Sequence, residues 1–189
     1  MKVSLGWFGA IAVAASVVSA PLRSDGTRLA RAEAVPTCAT DSNYQRLAFW
    51  VGDWEVVDSN GTHYATQRVR AVIDGCAFTA EWTGRVGDKG LNLSSFDGRT
   101  GEWRQVYASN QVPAPLGVAI RRSDPTYGGP GIRFISLIEP PAGELARSRV
   151  TIMPLADHRA MQLFEDSKDG GKTWQVVFKA EHRPRNAEP

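Results

Sequence analysis

A chain of 189 residues that is 42% apolar and 22% charged has the make-up of an ordinary globular protein with one core, which excludes a disordered or fibrous chain and makes a single domain the expectation. The formal charge of +2 has no dominant block of either sign, so nothing in it calls for nucleic acid or another polyanion as partner.

Lys2 is followed by an uncharged run from Leu5 to Ala20, L-G-W-F-G-A-I-A-V-A-A-S-V-V-S-A. The run is too short to span a bilayer comfortably and suits the apolar core of a secretory signal. Residues 1–20 are therefore expected to be a signal peptide cut between Ser16 and Ala20, leaving an exported protein, periplasmic or extracellular, with no stable membrane insertion. Its removal takes Lys2 and lowers the charge to +1. The polar, Ala- and Arg-rich stretch Pro21–Thr37 has no apolar period and is expected to be a flexible leader.

Two cysteines remain, Cys38 and Cys76, and export to an oxidising compartment favours a single disulfide. Closing that loop stabilises by roughly 3 to 4 kcal/mol on the chain-entropy model. A redox pair is disfavoured because there is no C-x-x-C. Asp41-Ser42-Asn43 then offers capping residues ahead of Y-Q-R-L-A-F-W, where Tyr44, Leu47 and Ala48 fall at helical spacing and predict a short helix.

Everything after it alternates strand and turn. Trp54 to Asp58 leads into Asn60-Gly61 and the next run ends at Asp74-Gly75, two dipeptides suited to type I′ turns. C-A-F-T-A-E-W-T-G-R-V, L-N-L-S-S-F and E-W-R-Q-V-Y-A-S follow, joined by Gly- and Asp-rich turns. V-P-A-P and D-P-T-Y-G-G-P-G read as longer loops around L-G-V-A-I-R-R, after which I-R-F-I-S-L-I, R-S-R-V-T-I-M, A-M-Q-L-F-E-D and W-Q-V-V-F-K-A-E-H complete the series. The expected fold is all-β, an up-and-down antiparallel barrel of about ten strands spanning residues 38–185, with a short tail at 186–189.

The stretch S-K-D-G-G-K-T-W from Ser167 to Trp174 resembles the Asp-box, a turn motif of sialidases and other β-propellers. A propeller repeats its blade motif about every 40 to 50 residues. The one relative here is S-F-D-G-R-T-G-E-W from Ser95 to Trp103, so both are read as hairpin stabilisers in which the carboxylate (Asp169 in the first) accepts turn N–H bonds and Trp covers the hairpin base.

F-W-V-G-D-W-E-V, D-G-C-A-F-T-A-E-W-T-G, L-N-L-S-S-F-D-G-R-T-G-E-W-R-Q-V-Y, M-Q-L-F-E-D-S-K-D-G-G-K-T-W and H-R-P-R together resemble a family of exported bacterial proteins of no established activity, placed in the calycin group beside the lipocalins. The resemblance covers most of Phe49 to Arg183 and implies a calycin-type barrel. It aligns Gly52 and Trp54 with the G-x-W that opens the first lipocalin strand. It also implies that an arginine after the last strand, Arg183 or else Arg185, packs across Trp54. The chain departs from the family at V-Y-A-S-N-Q-V-P-A-P and at an enlarged Tyr127–Pro130 loop.

A barrel of this size either fills its interior or holds one small ligand. Candidate ligand-binding residues are polar groups set among large apolar ones, Glu81, Asn92, Gln105, Gln162 and Glu165, with the aromatics Trp82, Trp103 and Tyr107. Parity places Trp103, Gln105 and Tyr107 on one face, but alternation also turns half of all strand residues to solvent, which leaves each of these an outward alternative. No H-E-x-x-H, G-x-S-x-G or phosphate loop occurs, and His63, His158 and His182 are scattered, so no catalytic residue, metal or cofactor is assigned. The expected role is binding of a small hydrophobic or amphiphilic molecule by a monomer or dimer. The alternatives are a calycin-type enzyme doing hydratase- or cyclase-like acid–base chemistry with Glu81 or Glu165, and a packed barrel serving as an interaction module.

Overall fold

The computed structural model describes residues 37–110, 118–137 and 146–185. The predicted signal, nearly all of the leader, the V-P-A-P stretch and the tail lie outside them.

A 3-10 helix, Tyr44–Trp50, precedes ten strands: β1 Gly52–Val57, β2 His63–Val72, β3 Ala77–Gly84, β4 Lys89–Asp97, β5 Glu102–Ser109, β6 Val118–Ser123, β7 Ile132–Ser136, β8 Arg147–Pro154, β9 Ala160–Ser167 and β10 Gln175–Pro184. Each pairs antiparallel with its sequence neighbours, and β10 closes on β1 with Trp54 opposite Pro184 and Val57 opposite Glu181. The protein is thus a closed ten-stranded up-and-down barrel, as the succession of short strands and tight turns predicts. Closure leaves no unpaired sheet edge to be covered.

The turns obey local chemistry, with two departures from expectation. At Asn60-Gly61 only Gly61 has positive φ (80°), because Asp58 Oδ1 gathers the N–H groups of Asn60 and Thr62 into a wider loop. At the next turn the left-handed run covers Ile73, Asp74 and Gly75, and Cys76 falls in the loop rather than opening the strand. From there its sulfur meets Cys38.

One end of the barrel is plugged. Leu47 and Trp50 of the 3-10 helix are fully buried in the core cluster that also holds Trp54, Val69, Ile152 and Ala180. Asn43 makes no side-chain cap; Asp41 Oδ1 instead accepts its N–H at 2.8 Å. The plug is tied down by the Cys38–Cys76 disulfide, by Gln45 Nε2 donating to the Cys38 carbonyl (2.7 Å) and by Arg46 Nη2 donating to the Gly131 carbonyl (2.7 Å). Trp54 Nε1 donates to the Trp50 carbonyl at 2.8 Å, and a Cβ at Gly52 would press on the same indole at 3.1 Å. That contact gives the G-x-W spacing its physical reason.

Between Trp50 and Trp54 lies His182, edge-on to both rings at 6.2 and 6.1 Å, and no part of it is exposed. The arginine expected over Trp54 is elsewhere. In the β1–β10 register His182 stands opposite inward-facing Val56, whereas Arg183 stands opposite Glu55 on the outside and donates to Glu181 at 2.9 Å. Arg185, also exposed, follows the end of β10, its backbone N–H bonded to the Asp53 carbonyl. Strand parity thus assigns the ring-packing position to the histidine one residue earlier.

Candidate functional site

Away from the plug the barrel is not filled. A cavity of about 360 Å³ opens where β2 and β4 begin and β5 ends, lined by Tyr64, Trp82, Asp88, Ser109 and Tyr107 toward the mouth and by Gln67, Asn92, Gln105, Arg121, Val150, Gln162, Phe164 and Phe178 along its walls. A volume of this order suits a small organic ligand.

Two walls of different character face each other. From β4, β5 and β6 come Asn92, Gln105, Tyr107 and Arg121, and roughly half-way round the ring β9 and β10 contribute Phe164 and Phe178, whose rings lie 5.6 Å apart. Tyr64 extends the aromatic side, 4.9 Å from Phe178 and 6.0 Å from Trp82. Two glycines make room at the mouth. A Cβ on Gly90 would collide with the Tyr107 ring, and one on Gly84 with the Asp88 carboxylate, which accepts the Trp82 indole N–H at 2.7 Å and so holds that ring in place.

The polar wall is a connected chain of hydrogen bonds. Arg121 Nη1 donates to Gln105 Oε1 (3.0 Å), Gln105 Nε2 to Ser94 Oγ (3.3 Å), and Ser94 Oγ to Asn92 Oδ1 (2.8 Å). These residues stand in adjacent rows of the sheet, Ser94 opposite Gln105 and Gln105 opposite Arg121. Burial pulls the Arg121 guanidinium down to about 10 from its usual 12.5. On the far side Gln67 Oε1 accepts a 2.6 Å bond from His182 Nε2. An amide oxygen only accepts, so that nitrogen carries the proton, while Nδ1 is buried with no partner among the described residues. Burial holds the imidazole down to about 4.

The cavity brings together Trp82, Asn92, Gln105, Tyr107 and Gln162 of the residues singled out from the sequence. Three others lie elsewhere. Trp103 faces inward but packs below the cavity on Phe78 and Phe96, 5.9 and 6.0 Å away, and is fully buried. Glu81 is exposed on the outer face of β3, one residue out of phase with Trp82. Glu165 is out of phase with Gln162 and Phe164, and its carboxylate is gripped from outside the barrel by Arg149 through two bonds of 2.7 Å. That guanidinium holds the Glu165 carboxyl below its ordinary range, opposite to what a proton-donating acid needs.

Arg149 in turn stacks on Trp174, 4.0 Å from the ring centre. The hairpin that delivers Trp174 is organised by Asp169, whose oxygens accept from Lys172 N, Thr173 N, Thr173 Oγ1 and Ser167 Oγ, and these bonds lower its pKa to about 2. The Asp-box-like stretch is therefore a hairpin clamp buttressing the Glu165–Arg149 pair. The Tyr127–Pro130 loop lies at the plugged end, with Arg133 stacked on Tyr127 at 4.3 Å, and takes no part in the mouth.

Sequence reasoning missed Arg121, Gln67, Asp88 and the two phenylalanines. Arg121 is hidden in the sequence because the apolar Ile120 beside it fits the interior by type, yet Ile120 is 45% exposed. Among the described residues no group of three or more His, Cys, Asp or Glu converges as a metal site would. No protein-family model matches the chain, and no curated protein is significantly similar to it.

Proposed function

We propose that this is an exported barrel of the calycin type that binds one small amphiphilic molecule in its interior. The observation that carries it is the inverted wall: on β4 to β6 the polar side chains Asn92, Ser94, Gln105 and Arg121 face inward while Leu91, Leu93, Val106 and Ile120 face solvent. Folding alone favours the opposite arrangement, and local rules are broken where function requires it. Opposite that wall, Phe164 and Phe178 with Trp82 and Tyr64 offer an apolar ligand body a surface to displace water from.

Export is supported by the apolar run at Leu5–Ala20 and by the disulfide, which an oxidising compartment sustains. Among the described residues no helix is long and apolar enough to cross a membrane. Acid–base catalysis by Glu81 or Glu165 finds no support, since Asp88 is the one carboxylate among the described residues of the cavity lining.

Native mass spectrometry of protein purified without detergent, followed by extraction of whatever is bound, tests the function. The expected result is a reproducible small-molecule adduct that Trp82→Ala weakens by at least about tenfold, the loss expected of a buried aromatic anchor. A clean apo mass that no amphiphile shifts at millimolar concentration counts against it.

A further inference from the structure

Resting on the cavity-binding function above, we infer that the ligand is an acid whose single carboxylate is taken up by Arg121, with its apolar body against the aromatic wall. Arg121 lines the cavity, and its one side-chain bond among the described residues is to the neutral amide of Gln105. Among the described residues no carboxylate lies within ion-pairing distance of it, whereas Arg68, Arg70, Arg104, Arg122, Arg149, Arg159 and Arg183 each have one. A guanidinium has five N–H donors in a planar fork, and one bond leaves the fork open for a two-point acceptor.

A part-buried cation with no ionic partner is costly, and the cost is visible in the desolvation that depresses its proton affinity. The cost is offset when an anion enters. The Gln105–Ser94–Asn92 chain holds the fork in place: Arg121 Nη1 donates to Gln105 Oε1, and Gln105 is itself fixed by its bond to Ser94 and, through it, to Asn92. Asn92 spends its oxygen within this chain, which leaves its amide N–H groups to face the cavity as further donors.

The charge count narrows the class. Among the described residues Arg121 and Asp88 are the only formally charged ones in the lining, and Asp88 is committed to the Trp82 indole near the mouth. One cation matches a carboxylate, while a phosphate dianion would retain a net charge in a cavity that also contains Asp88.

Titration calorimetry with decanoate, decan-1-ol and decyl phosphate on wild type, Arg121→Met and Arg121→Lys tests the inference, with thermal unfolding of each ligand-free variant as the folding control. Decanoate is expected to bind at least about tenfold tighter than decan-1-ol, the worth of a charge-assisted two-point bond in a desolvated site, and tighter than decyl phosphate. Arg121→Met is expected to reduce decanoate to the level of the alcohol, to weaken the alcohol far less, and to unfold no earlier than wild type, since it removes an unpaired charge. Arg121→Lys, which keeps the charge but not the fork, is expected to fall between. Equal binding of acid and alcohol, or an equal loss of both in Arg121→Met, overturns the carboxylate assignment while the cavity function stands. Tighter binding of decyl phosphate replaces the carboxylate with a phosphate head and likewise overturns it. Failure of all three to bind wild type overturns the cavity function and this inference with it.

Discussion

Replacing both Cys38 and Cys76 by serine is expected to lower the free energy of unfolding by about 4 kcal/mol, the chain-entropy value for a loop closed across 38 residues. The bond matters because of what it spans. It joins the segment leading into the plug helix to the β2–β3 loop, so that Leu47 and Trp50 are delivered to the barrel end by a tether rather than by a helix able to stand alone. A single 3-10 helix of seven residues without a side-chain cap has little stability of its own. Urea unfolding of the oxidised protein and the double serine variant measures the difference. Hydrogen exchange is expected to show faster opening of the plug than of the β3–β4–β5 ladder in the variant. A loss below about 1 kcal/mol would mean that the plug holds without its tether, contrary to the loop-closure argument.

The second large effect is a dependence of stability on pH that His182 imposes. Its imidazole is enclosed by Trp50, Trp54 and Gln67, all neutral, and takes up a proton in the fold only at about 4, against 6.5 for the open chain. Between those values the unfolded state binds more protons than the native state, so stability rises with pH across that window. It is complete at neutral pH and falls progressively as pH drops through 6.5 toward 4, by about 3 kcal/mol in all. The carboxylates held low by arginine or turn donors, Glu165, Glu181 and Asp169 among them, add their own losses only as acid reaches the ordinary carboxylate range and below. The two limbs are therefore separable. Unfolding free energies measured down the pH scale are expected to slope from 6.5 downward in wild type and, in His182→Gln, to stay flat from 6.5 to about 5, above the carboxylate range. An NMR titration is expected to find the His182 ring still neutral well below 6.5. A flat wild-type profile between 6.5 and 4 would contradict the buried neutral histidine.

The barrel itself was legible because its signals are local. Asn60-Gly61, Asp97-Gly98 and Asp169-Gly170 punctuate strands short enough that the next must pair with the last, and Asp58, Asp97 and Asp169 organise these turns in the structure. Asn92 and Gln162 were legible as cavity groups because a lone amide between large apolar residues fits neither a packed core nor a solvent face well; Gln105, beside Arg104, shares the inward parity of Trp103 and Tyr107. Facing was not legible where one residue decides it. Glu81 beside Trp82, Glu165 beside Phe164, and Arg183 beside His182 differ by a single step, and a single step moves a side chain to the other side of the wall. Arg121 shows the deeper reason. The apolar period of β6 assigns Ile120 to the interior, but the outer surface of β4 to β6 is itself apolar, with Leu93, Val106 and Ile120 side by side across three strands. Hydrophobicity alone cannot reveal a wall that function has turned inside out.

That inversion leaves two apolar surfaces for an amphiphile to choose between, the aromatic side of the cavity and the outer stripe, and locating it on one of them is the most direct test of the account. Intermolecular NOEs to the methylene protons of bound decanoate would report the choice. Contacts to the rings of Phe164, Phe178 and Trp82, lost when Gly90→Leu obstructs the mouth, are the result predicted here. Contacts to Leu91, Leu93, Val106 and Ile120 instead, indifferent to that substitution, would contradict an interior binding site.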